Sequence, residues 1–244
     1  YLNQFIKDAQ KGIFKGLNNE KLKTFGQKQK YYHGVPEIFK NLQRVVEDNP
    51  KYREYNIRVE HYIVSTGMSA IIKGSAVMPY VEAIWGCDLI EGLDGEKHKI
   101  ISEVGYTIDN TTKTRALFEI NKGVPQHPEI DVNARMSDAL RRVAFPNMIY
   151  IADGPSDVPA FSVVKKFGGS TFAIYPKGNS KAFCQVEQLR EDGRIDMYAE
   201  ADYREGTTAY MWLTHKVDEI AERIYKTEKE SLEGAVSAAP RHLV

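Results

Sequence analysis

Apolar residues recur along this chain at two spacings, and segments of one kind alternate with segments of the other. Returns every three to four residues build one stripe of a helix, whereas short unbroken or alternating runs build a strand. Leu2, Phe5, Ile6, Ala9 and Ile13 open with the helical spacing, in a stretch of residues 1–30 rich in Lys, Gln and Asn and punctuated by Gly12, Gly16 and Gly26. This predicts a small subdomain of short amphipathic helices. Val35, Ile38, Phe39, Leu42, Val45 and Val46 predict a clearer helix, with Pro36 at its first position and an end near Asp48-Asn49-Pro50. Residues 57–64, rich in β-branched and aromatic side chains, predict a strand that stops at Ser65-Thr66-Gly67. A helix over 68–80 follows, then strands over 82–90 and 99–107 around the turn Leu93-Asp94-Gly95.

Thr112 stands where a helix cap belongs, ahead of Leu117, Phe118 and Ile120, with Gly123 as the stop. Lys113 then falls in the first turn, where the helix dipole disfavours a cation, so it either meets a ligand or is a solvated surface lysine. A polar loop over 124–134 and a short helix over 136–143 lead to the apolar run 147–152, which reads as a strand buried on both faces. Strands over 170–175 and 194–199 and a closing helix marked by Tyr210, Leu213, Val217, Ile220, Ala221 and Ile224 complete the pattern. The Ala- and Ser-rich tail from Glu233 is expected to be disordered. Strands alternating with helices predict an α/β fold around a doubly wound parallel sheet.

Composition narrows the function classes. With 42% hydrophobic and 27% charged residues over 244 positions, the chain is globular, and no apolar run approaches the roughly 20 residues of a membrane span. Lys plus Arg and Asp plus Glu number 33 each, so no overall positive field would draw nucleic acid or an anionic membrane. Cys87 and Cys184 lie far apart with no zinc spacing, and the six histidines have none either, which fits a reducing, cytoplasmic setting. Tyr52, Tyr55 and Tyr62 are expected to pack rather than stack on bases, since no basic patch accompanies them. A start at Tyr1, already within a helical stripe, leads us to expect residues upstream.

The chemistry concentrates in Ala152-Asp153-Gly154-Pro155-Ser156-Asp157, at the end of the 147–152 strand. Ligands of open α/β sheets bind at that edge. Two carboxylates four residues apart repel unless a cation joins them, and Mg²⁺ binds through one or two carboxylates while keeping waters and phosphate oxygens. The plainer reading has Asp153 cap the next helix. Ser65 and the amides of Thr66 and Gly67 suit phosphate oxygens, although Ser-Thr-Gly is also a common turn, and Lys113 suits the charge of a phosphoryl transition state.

In this order the segments resemble the motifs of the haloacid dehalogenase superfamily, in particular its phosphoserine-phosphatase-like branch. Ile63-Val64-Ser65-Thr66-Gly67 resembles the second motif, Lys113 the third, and Ala152 to Asp157 the fourth, over residues 32–223. Lys122 competes for the third but lies at the wrong end of its helix. The resemblance implies a three-layer Rossmann-like core over 31–232 with a helical cap remnant at 1–30, a tail at 233–244, and a Mg²⁺-dependent phosphohydrolase acting on a small phosphorylated metabolite. It implies Ser65, Thr66, Gly67 and Lys113 on the phosphoryl group, Ser65 and Lys113 among the catalytic residues, and Asp153 and Asp157 at the metal. The family's first motif, a strand ending in Asp-x-Asp whose first Asp is the nucleophile, has no match, so the nucleophile is expected upstream of Tyr1. A non-catalytic phosphate-binding or scaffold protein of the same fold, and a phosphotransferase such as a phosphomutase, remain open.

Overall fold

The computed structural model describes residues 1–237. In chain order the elements are α1 (Leu2–Gln10), α2 (Asn19–Gly26), α3 (Glu37–Glu47), α4 (Pro50–Glu54), β1 (Tyr62–Met68), α5 (Ser69–Lys73), β2 (Ala83–Leu93) and β3 (Lys99–Tyr106). They continue as α6 (Asn110–Lys122), β4 (Ile149–Ala152), α7 (Val158–Lys166), β5 (Ser170–Tyr175), α8 (Ser180–Glu191), β6 (Met197–Glu200) and α9 (Thr208–Ser237). They fall into two compact units, one made of Tyr1–Tyr32 and His61–Ala201, the other of His33–Glu60 and the chain from Asp202. The N-terminal helices therefore belong with the strands, while α3, α4 and α9 form a separate unit.

The first unit is mixed α/β. One sheet has the order β1-β2-β3, with β1 parallel to β2 and β3 antiparallel to it, and the other has the order β4-β5-β6, all parallel. A tight connection makes β3 antiparallel: the Asp94 carboxylate accepts from the backbone N–H groups of Glu96 at 2.9 Å and His98 at 2.8 Å, a local turn that reverses the chain. The parallel strands β4, β5 and β6 are joined through α7 and α8, whose Phe161, Val186 and Leu189 bury with Ala173 of β5. Among the described residues β1 pairs only with β2 and β4 only with β5, so each keeps one unpaired edge. Leu2, Ile6 and Ala9 of α1 and Leu22 of α2 bury against Leu89 of β2 and Ile100 and Ile101 of β3. There α2 meets the end of α5 backbone to backbone, and a Cβ on Gly74 would stand 1.8 Å from the Lys23 carbonyl oxygen.

The second unit packs α3 against α9, with Ile38, Leu42 and Val46 buried on one helix and Leu213, Val217 and Ile220 on the other. Gly34 is needed where it stands: its φ is +83°, and a Cβ would lie 2.3 Å from the Tyr203 carbonyl carbon.

Several boundaries move for identifiable reasons. The strand expected over 57–64 begins at Tyr62, because pairing starts at Tyr62 opposite Ala83. The helix expected over 68–80 ends at Lys73, before Gly74, and resumes only as a single turn at Met78–Tyr80. The helix expected over 136–143 is one turn at Asp138–Leu140, since Leu140 finds no core and is 73% exposed. The strand expected over 194–199 is Met197–Glu200, starting at the pair of Met197 with Phe172. Where disorder was expected from Glu233, α9 runs on through Ser237, and residues 238–244 lie outside the described residues.

Candidate functional site

The apolar run of β4 ends at Ala152, Gly154 keeps the chain extended, and Pro155 opens a single turn that passes into α7 at Val158. Asp157 occupies the N-cap position of α7, yet its side chain caps nothing. Its Oδ1 accepts from Lys113 Nζ at 2.7 Å and from the Tyr150 hydroxyl at 2.6 Å, and its Oδ2 accepts from Ser156 Oγ at 2.9 Å. Lys113 Nζ also lies 3.4 Å from Ser156 Oγ. Asp157 is 4% exposed and Lys113 5%, so this pair is shielded from water and screened little by salt. Burial pushes the Tyr150 phenol far above its usual range, helped next by the charge of Asp157, the hydrogen bond to it and the charge of Asp153. Tyr150 thus stays a donor.

The local sequence explains how Lys113 arrives there. Asp109, rather than Thr112, is the N-cap of α6: its Oδ1 accepts from the N–H groups of Thr111 and Thr112, both at 2.8 Å, while Thr112 Oγ1 accepts from Asp109 N–H at 2.6 Å. This reciprocal capping box puts Thr112 at the third helical position and Lys113 just beyond it. Hydrogen bonds from Thr112 hold the Asp109 carboxyl below its ordinary range. The dipole disfavours a cation at Lys113, and Asp157 supplies the compensating charge. Lys122 has a different role, donating from the far end of α6 to the carbonyls of Val132, at 2.6 Å, and Ala134.

Asp153 contrasts with Asp157. It follows β4 directly and is exposed, and among the described residues no hydrogen bond or ion pair engages its carboxylate, so it caps no helix. The carboxylate oxygens still free to accept a cation are those of Asp153, whereas Asp157 already takes three donors. Among the described residues no group of three or more His, Cys, Asp or Glu side chains is arranged to hold a metal ion.

Ser65, Thr66 and Gly67 lie inside β1 rather than after it. Val64 pairs with Trp85 and Met68 with Cys87, so three residues of β1 oppose Gly86 alone and the chain bulges. Gly86 makes room for the bulge, since a Cβ there would stand 3.0 Å from Ser69 Oγ and 3.1 Å from the Gly67 carbonyl oxygen. Within the bulge the Gly67 amide donates to Ser65 Oγ at 3.0 Å, which occupies that amide and leaves the Ser65 hydroxyl proton to be donated elsewhere. The fold thus brings Lys113 and Asp157 into contact. It puts Ser65, Thr66 and Gly67 in no hydrogen bond with them, but α6 packs against both β1 and the turn at Pro155–Asp157. Sequence reasoning passed over Tyr150 and Ser156. The signal for Tyr150 was a polar tip in an otherwise apolar strand, three residues before Asp153.

No known family profile matches the chain, and no solved structure matches it. The chain is 34% identical over 230 residues to an uncharacterized protein of Borreliella burgdorferi, an alignment that takes in 89% of this chain and 77% of that protein. At that identity and coverage, the chain belongs to the same family as the Borreliella burgdorferi protein.

Proposed function

We propose that this chain carries the phosphate- and metal-binding parts of a Mg²⁺-dependent phosphohydrolase for a small phosphorylated metabolite, on a three-layer core like that of the haloacid dehalogenase superfamily. The observation that carries the reading is the buried Lys113–Asp157 pair, which joins two positions 44 residues apart, each singled out for phosphoryl chemistry. In this reading Lys113, held by Asp157, which Tyr150 braces in turn, presents its ammonium to the phosphoryl oxygens and offsets the charge that builds up in the transition state. Ser65 donates its hydroxyl to another of those oxygens. Asp153, whose oxygens are uncommitted, would hold Mg²⁺ with waters and substrate oxygens, and the ion would orient and polarise the phosphoryl group. Asp157 keeps Lys113 and the turn in place and is not a direct ligand in this scheme.

The nucleophile is an aspartate on a strand outside these 244 residues. The unpaired edges of β1 and β4 favour this, because a strand between them would satisfy backbone groups on both sides. Tyr62 and Val64 of β1 and Tyr150 of β4 pack around one apolar cluster formed by α6, α7 and the residues Phe145 and Met148 ahead of β4. A strand entering there would bring its carboxyl end towards Ser65 and Asp153.

The test is phosphate release from an aryl phosphate by the full-length protein with Mg²⁺. Wild type should turn over, and Asp153→Asn should lose at least about a hundredfold, on the scale of removing one electrostatic stabiliser. Unchanged activity in Asp153→Asn would sink the reading. Phosphate binding without turnover would favour a non-catalytic phosphate-binding protein, and transfer of phosphate to an acceptor other than water a phosphotransferase.

A further inference from the structure

Equal totals of acid and base conceal a local asymmetry. Residues 1–32 carry seven lysines against two acids, Asp8 and Glu20, and no arginine or histidine stands among them. All seven lysines are exposed. The Asp8 carboxylate accepts from the Gln4 side-chain amide at 2.8 Å, and among the described residues none of the seven enters an ion pair. Lys7 and Lys11 stand one helical turn apart, a spacing at which like charges repel. The stretch thus carries a positive field that its own acids leave standing.

The loop between α1 and α2 sets apolar side chains in the middle of that field. It runs Lys11-Gly12-Ile13-Phe14-Lys15-Gly16, and both glycines have positive φ, +78° and +60°. Its backbone is held at each end. The Ile13 N–H donates to the Asp8 carbonyl at 3.0 Å, the Leu17 carbonyl accepts from the Ile101 N–H of β3 at 2.9 Å, and Lys21 Nζ donates to the Lys15 carbonyl at 2.9 Å. Leu17 is buried, yet Ile13 is 65% and Phe14 39% exposed. A fixed turn therefore holds two adjacent large apolar side chains outward with lysines on both sides. Tyr1 lies at the other end of α1, whose nine residues set it about 14 Å from this tip.

These features select an occupant. A second copy of the chain would bring the same positive charge to the contact. Protein interfaces favour arginine and are depleted in lysine. The phosphate backbone of a nucleic acid would attract the lysines but offer Ile13 and Phe14 no apolar surface. A bilayer answers both: lysine stems lie along it with their ammonium groups hydrated among anionic headgroups, and apolar side chains reach the acyl boundary beneath. We propose that the tip between α1 and α2 is a docking surface for a membrane carrying anionic phospholipids. Ile13 and Phe14 enter the interface, and Lys7, Lys11, Lys15 and Lys21 meet the headgroups. The inference is independent of the phosphohydrolase reading.

The test is cosedimentation of the full-length protein, and of the 244-residue chain beside it, with two kinds of vesicle. One is phosphatidylcholine alone, the other phosphatidylcholine and phosphatidylserine in equal parts. Both proteins should bind the mixed vesicles at least about 25-fold more tightly, the scale of two lysines at an anionic surface, and high salt should shrink the difference. Lys11→Glu with Lys15→Glu should remove most of it. Ile13→Ser, which changes no charge, should weaken binding to mixed vesicles at least about tenfold. Lys166→Glu with Lys181→Glu, the same charge change at exposed positions of α7 and α8, should leave binding nearly unaltered. Any one of several results would overturn the assignment: equal binding to both vesicles, equal losses from the two charge reversals, or binding undiminished by Ile13→Ser. So would a full-length protein that fails to bind where the 244-residue chain succeeds, or tighter binding to duplex DNA than to mixed vesicles. None of these outcomes bears on the phosphate site.

Discussion

A lysine, a tyrosine and carboxylates meet once in each unit, and the two clusters have different consequences. In the first unit Lys113 and Asp157 have side chains only 6% exposed, and they join α6, β4 and the turn before α7. In the second, Lys51 and Glu222 are 40% and 31% exposed, and the buried member is Tyr52, whose hydroxyl donates to Asp218 at 2.9 Å and Glu222 at 3.1 Å. Lys51 also stands over the rings of Tyr52 and Tyr225, at 4.7 and 5.4 Å, so the cluster clasps α4 to α9. The Lys113 cluster has the unengaged carboxylate of Asp153 next to it, and its charges sit where the effective dielectric is low, so the same side-chain types interact more strongly there than in the exposed cluster.

Four variants sharpen that contrast. Asp157→Ala leaves Lys113 buried without its partner and should cost about 3–5 kcal/mol in denaturant unfolding; a loss below about 1 kcal/mol would place the first cluster with ordinary surface pairs. Tyr150→Phe removes one donor to a charged acceptor and should cost roughly 1.5–3 kcal/mol. Tyr52→Phe in the second unit should cost about 1 kcal/mol, because its acceptors reach water once released.

That variant also has a pH signature. Burial first, then Asp218, push the Tyr52 phenol from 10.0 up to about 12, so the folded protein holds this proton after the unfolded chain has released it. The resulting stability is complete below about pH 10 and is lost as pH rises towards 12. Wild type should therefore lose more stability between pH 9 and 11 than Tyr52→Phe does, and equal losses would contradict the assignment. The smallest effect is expected for Lys51→Met, a shift near the resolution of a denaturant titration that fades further in high salt.

Periodicity located most elements, and β5 emerged with its bounds intact as Ser170–Tyr175, because a run buried on both faces is read from apolar content alone. It failed where pairing or a missing core partner decided the outcome, as at residues 57–61, which look like a strand although the ladder with β2 begins only at Tyr62, and at 136–143, where Leu140 is 73% exposed. The cap of α6 was misread by three residues because Asp109 and Thr112 both suit an N-cap and only the reciprocal bonds distinguish them. In the candidate site, Lys113, Asp153 and Asp157 were legible by type and position, whereas Tyr150 was hidden inside a strand that reads as core.

The sequence by itself determined that a lysine stands near the start of α6 and that two aspartates follow the β4 strand, since these positions follow from local periodicity, capping and turn chemistry. Tertiary structure alone decided how they divide: Asp157 is buried against Lys113 and Tyr150, while Asp153, four residues earlier, faces outward with its oxygens free. The physical reason is that the protonation, partners and availability of a carboxylate depend on the groups that burial brings beside it, and those come from α6 and β4, distant in the chain.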